Sequence, residues 1–182
     1  MKNKSKHTSL WIILLVVLTG CNQAPHEPGG TKPLTDSEYQ MISRDIFSRL
    51  VPVKGELVYV PVYSEIYGTD IDRKIKLSAT LSIRNIDMEQ PIIVSQADYY
   101  DTHGNLIRQY LDNPLELRPL QTKSYVVEYK EAQGGTGANF IVEWTSQQQV
   151  SEPVIEAVMI GTSSALGISF VCQGKVIKYL NP

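Results

Sequence analysis

Thiols and imidazoles are scarce: the 182-residue chain holds two cysteines and three histidines. His7, His26 and His103 lie far apart, and zinc usually takes three or four nitrogen and sulfur ligands, so neither a metal centre nor a cofactor is expected. Beyond residue 20, clustered Lys and Arg are also missing, which argues against nucleic acid, whose phosphates demand a basic surface. Long apolar runs are missing as well. Leu10 to Leu18 gives nine apolar residues, where a spanning helix needs about 20.

What stands in place of a span is a short oily run after Lys2, Lys4 and Lys6, ending in Leu18-Thr19-Gly20-Cys21. A basic start, an apolar middle and small residues before a cysteine read as a lipoprotein signal over residues 1–20. The lipobox Leu18, Thr19, Gly20 and Cys21 predicts acylation of the Cys21 thiol and cleavage just before it. Buried methylenes contribute about 0.8 kcal/mol each, so two or three acyl chains would hold the protein on a bilayer, on the periplasmic or cell-surface side. Asn22 leaves outer-membrane sorting open where the host has such a membrane. Loss of the three lysines would take the formal charge from -2 to -5, leaving the acyl chains as the membrane contact.

Residues 21–35 are rich in Pro, Gly and polar side chains and read as a flexible tether. Thr35-Asp36-Ser37-Glu38 has capping-box spacing, and Tyr39, Ile42, Ile46 and Leu50 recur at helical intervals, predicting a short amphipathic helix over about 36–50, within a segment ending at Pro52. From residue 56 to 182 the pattern becomes that of strands. Leu77, Ala79, Leu81 and Ile83 alternate with Ser78, Thr80, Ser82 and Arg84, giving one dry and one wet face. Pro61 assigns LVYVPVYSEIY to a broken or edge strand. Asp101-Thr102-His103-Gly104 has the residues of a hairpin turn. Further strands are expected over 125–129, 140–145, 154–160, 167–172 and 176–180. Seven to nine short strands without intervening helices imply an all-β fold, an antiparallel immunoglobulin-like sandwich.

The stretches YVPVYSEIY, ATLSIRN, YYDTHGNLIRQYL, GGTGANFIVEW and EAVMIGTSSALGISF resemble, in that order, the bacterial domain of unknown function numbered 3124. Its members look like lipoproteins or exported proteins. The resemblance covers roughly residues 57–177 and implies a single domain of that type, but it brings no activity and no site residues.

Chemistry must therefore be sought in the residues themselves. The loop from Glu131 to Asn139 lacks the Gly-Lys-Ser/Thr ending of a Walker loop, and Phe140 stands where a dinucleotide fingerprint needs its third glycine. It reads either as a loop using glycine's conformational freedom or as a ligand loop offering bare amides. Asp101 and His103 are neighbours, but no Gly-x-Ser-x-Gly elbow supplies a nucleophile, so no catalytic residues are assigned. Asp70 and Asp72 could face the same way as oxygen ligands for calcium do, but two acids followed by Arg73 and Lys74 read instead as a solvated loop. Cys172 among apolar neighbours is a buried core thiol or a reactive one. Ten tyrosines supply amphipathic rings for a core or a binding surface. The candidate binding surface comprises Tyr99, Tyr100, Asp101, Gly134, Gly135, Gly137 and Asn139. The leading expectation is a non-enzymatic lipoprotein domain that binds another envelope protein. A small-molecule or glycan binding module and an envelope enzyme are the alternatives.

Overall fold

The computed structural model describes residues 38–131, 133–162 and 167–180, all within the unit Leu34–Pro182. The signal, the lipobox with Cys21, the tether and the Thr35 end of the capping box lie outside the described residues.

In chain order the elements are β1 (Gln40–Met41), α1 (Arg44–Phe47), β2 (Lys54–Val62), β3 (Glu65–Tyr67), β4 (Lys74–Lys76), β5 (Ser78–Arg84), β6 (Ile92–Tyr100), β7 (Leu106–Gln109), β8 (Leu115–Leu117), β9 (Thr122–Val127), β10 (Ala138–Ser146), β11 (Val154–Gly161), β12 (Ile168–Gln173) and β13 (Lys175–Tyr179). Every pairing is antiparallel. One sheet runs β1-β8-β6-β10-β2-β13, with β7 also on β6; the second runs β12-β11-β5-β9; β3 and β4 form a separate two-stranded arm. The fold is thus an all-β sandwich. Eight strands have five residues or more, within the expected range, and the additional ones are shorter.

Period-two alternation fixes which side of each strand enters the core. Val58, Val60 and Val62 of β2, Phe140, Val142 and Trp144 of β10, and Val94, Ala97 and Tyr99 of β6 point inward from the large sheet. Leu81 and Ile83 of β5 meet them from the second sheet with Ala157 and Met159 of β11. Each of the Val, Leu, Ile, Phe and Met side chains among them gains roughly 1.5–3 kcal/mol from leaving water. The wet face of β5 is partial, because Ser82 is buried.

Two expectations need correction. Of the broken-or-edge reading of LVYVPVYSEIY the break holds, since β2 ends at Val62 and β3 begins at Glu65, but the edge position does not: β2 lies between β10 and β13. Proline is tolerated because β13 stops opposite Tyr59, so Pro61 has a strand neighbour only in β10. The helix is also shorter than predicted. α1 covers Arg44–Phe47, with the Ser43 hydroxyl accepting from the Ile46 amide, while Gln40–Met41 pairs with β8. The Ile42 amide donates to the Pro114 carbonyl at 2.7 Å, so an available strand edge outcompetes the first helical turns.

A second local device closes the far end of β5. The buried Asn85 side-chain amide donates to the carbonyls of Gln90, Leu117 and Arg118, and its oxygen accepts from the Asp87 amide. Backbone amides of Ser151, Glu89 and Gln90 hold the Asp87 carboxyl down to about 2.

Candidate functional site

The turn between β6 and β7 folds around one carboxylate. Asp101 Oδ1 accepts from the amides of His103 and Asn105 at 2.8 Å each, and Oδ2 accepts from the Asn105 side chain at 2.9 Å. The Asn105 side chain and amide, with the His103 amide and ring charge, hold the carboxyl below its usual range. Gly104 takes the positive φ of 82° that the turn requires.

Thr102, at the tip of this turn, joins it to the Gly-rich loop. Its amide and its hydroxyl both donate to the Gly134 carbonyl, at 2.9 and 2.8 Å, and its hydroxyl accepts from the Gly137 amide at 2.9 Å. Gly135 has φ 78°, and its carbonyl accepts from the Ser64 amide and hydroxyl at 3.1 Å each. A Cβ there would lie 2.5 Å from Thr102 Oγ1, and one on Gly134 would collide with the Tyr99 hydroxyl and Ala138. The glycines are needed for both close approach and conformation.

The β3–β4 arm supplies the third wall. Gly68 and Arg73 close it through a 2.7 Å backbone bond, and Ile66 packs on the core. Together the three segments enclose an open cleft of about 360 Å³. Glu65, Tyr67 and Lys74 come from the arm, Asp101, Thr102 and His103 from the turn, and Gln133 to Thr136 from the loop. Lys74 pairs with Glu65, which raises the lysine's pKa, and its ammonium sits 5.5 Å from the centre of the Tyr67 ring.

The Gly-rich loop and the Asp101 turn therefore do border one concavity, but the sequence-based surface does not converge as a set. Asp101, Gly134 and Gly135 line the cleft. Gly137 contributes its amide to Thr102 instead. Tyr99 is 2% exposed and belongs to the core, its ring centre 4.9 Å from that of Phe140. Its hydroxyl lacks a partner in good hydrogen-bond geometry, and burial raises its pKa against the lowering influence of the nearby Ser64 hydroxyl. Tyr100 and Asn139 are paired, half-buried, on the opposite face of the large sheet from that core. Strand parity separates adjacent tyrosines that adjacency in sequence had grouped.

Glu65, Tyr67, Lys74, Thr102, His103, Gln133 and Thr136 also line the cleft and are absent from the sequence-based surface. The Gly-Thr-Asp turn between two short β-prone stretches is the available signal in the sequence. In the cleft the Asp101 carboxylate and the Thr102 hydroxyl are engaged by the backbone, so the local groups stabilise shape. Glu143 lies elsewhere, on the outer face of β10, accepting at 2.6 Å from the Ser95 hydroxyl. Among the described residues no group of three His, Cys, Asp or Glu side chains could hold a metal, and no helix is long and apolar enough to cross a membrane.

A family model described as protein of unknown function (DUF3124) matches residues 55–177, about two thirds of the chain. Neither the curated proteins nor the solved structures yielded a match.

Proposed function

This chain belongs to the DUF3124 family, and on that footing we propose that it is a lipid-anchored recognition module of the bacterial cell envelope, binding another protein without performing chemistry. The anchored part of the reading is supported by the basic, apolar and Leu-Thr-Gly-Cys sequence ending at Cys21. The recognition part is carried by one observation: Thr102 locks the β6–β7 turn and the Gly-rich loop together as two walls of one open cleft. Such a preorganised rim reduces the ordering cost of binding. Its cation and carboxylate, Lys74 and Glu65, are paired with each other and would exchange those contacts for a partner's polar groups.

Photo-crosslinking amino acids at His103 and Thr136, in cells carrying the full chain, test this. A discrete protein adduct at both positions is expected, and Lys74→Glu, which reverses charge beside Glu65, should remove it. Adducts unaffected by that change, or none, would refute recognition through the cleft.

A second reading has a specific observation in its favour. Exposed Tyr67 beside Glu65, Lys74 and Gln133 offers a ring and convergent polar groups, the composition that suits a glycan. Retention on cell-wall glycan fragments, lost in Tyr67→Ala and without a protein adduct, would favour it.

A further inference from the structure

The exposed edges of the two main sheets are protected unequally. At β9, the carbonyls of Thr122 and Val126 already accept from the hydroxyls of Tyr39 and Tyr110, at 2.7 and 3.4 Å. The β13 edge carries Lys175 and Lys178 and has a register shift between Val176 and Lys178. β1 is two residues long. Charge, irregularity, shortness and side-chain cover are the usual means of preventing a sheet from adding another strand. β12 has none of them. Ile168–Gln173 carries no charge and no proline, pairs with β11 in unbroken register, and ends the sheet. Among the described residues, no side chain hydrogen-bonds its backbone.

We propose that two copies of this chain pair antiparallel along β12, joining their four-stranded sheets into one eight-stranded sheet about a two-fold axis at Val171. The occupant follows from the side chains. Val126, Thr80, Val158 and Val171 are successive cross-strand neighbours, forming one β-branched row over the outer face of the sheet. Centring the pair on Val171 continues that row without interruption into the second copy. The same register sets Ser169 opposite Gln173 and Phe170 opposite Cys172, and it brings no like charges together. Identical edges satisfy the requirement of an isologous interface that each surface complement itself.

One six-residue edge buries less than the roughly 1,200–2,000 Å² of a stable complex, so this is a weak pair favoured by crowding on a surface. It rests on the sheet edge and is independent of the cleft.

Disulfide trapping of the full chain in intact cells tests it. In a Cys172→Ser background, Val171→Cys faces its own copy, whereas Ser169→Cys lies roughly 13 Å from its copy at about 3.3 Å per residue. Ile177→Cys on β13 controls for collision, since Ile177 and Val171 are 52% and 53% exposed. With copper–phenanthroline as oxidant, Val171→Cys should shift to doubled mass on a non-reducing gel. Ser169→Cys and Ile177→Cys should stay at the level of Cys172→Ser alone. If Val171→Cys is poorly folded, the Ser169→Cys/Gln173→Cys double variant reads the same axis and should link. No link at either designed position, or equal linking at Val171, Ser169 and Ile177, overturns the pairing. Linking abolished by removal of residues 22–35 would also overturn it, because the tether would then be making the contact. Loss of cleft adducts with trapping intact would sink the recognition reading alone.

Discussion

Glu56 is 3% exposed, and it points into the core because it shares the parity of Val58, Val60 and Val62. Its Oε2 accepts from Trp144 Nε1 at 3.1 Å, while Oε1 has no partner. Burial is the largest influence and raises its pKa above 4.5; the Trp144 bond opposes this, Glu152 adds to the rise and Lys54 subtracts. A carboxyl with a raised folded-state pKa favours the protonated fold, so stability falls as pH climbs from the unfolded value through the folded one. Glu56→Gln keeps an acceptor for Trp144 and removes the charge; it should be more stable at neutral pH, with a flatter pH dependence above 4.5 in urea titrations. Glu56→Ala should instead cost about 1–3 kcal/mol by leaving the indole donor unpaired. A Glu56→Gln protein with unchanged pH dependence would show that the carboxylate is solvated. The sequence contained this inward position, since residues 56, 58, 60 and 62 alternate together. What it could not supply was the facing indole, because Trp144 arrives from a strand 88 positions away.

Among the elements, the β6–β7 turn was legible because Asp101 and Gly104 act locally, through bonds within four residues. Its union with the Gly-rich loop was not, because Thr102 and Gly134 are 32 positions apart. The helix shows the converse limit. The 39, 42, 46, 50 spacing is helical, yet Tyr39 is buried and donates to Thr122, whereas Ile46 is exposed. A periodic stripe therefore does not secure a helix when a neighbouring strand offers backbone partners. The cleft's dependence on Thr102 gives an element-scale prediction. Thr102→Val preserves shape and the backbone bond but removes both hydroxyl bonds, worth about 0.5–1.5 kcal/mol each. Hydrogen exchange should show lost protection at the Gly137 amide while the amides of β10 keep theirs. Unchanged protection at Gly137 would mean that Ser64 and the tight glycine packing suffice to hold the loop.

For the whole molecule, alternation was enough to fix the architecture: strands without intervening helices have to cover one another, and two antiparallel sheets do so here. Strand order was beyond that reasoning, since period two fixes a face but never a neighbour. Among the described residues the hydrophobic core is drawn from Tyr39 to Met159, so the anchoring proposed at Cys21 is expected to be separable from folding. Cys21→Ser should consequently move the protein from the membrane to the soluble fraction and eliminate acyl mass. With anchoring separable from folding, its sandwich should unfold within about 0.5 kcal/mol of the parent. Membrane retention with unchanged mass would refute acylation at Cys21. A large fall in stability would instead make the bilayer part of the fold, contrary to a core closed by Trp144, Phe140 and Tyr99 on its own strands.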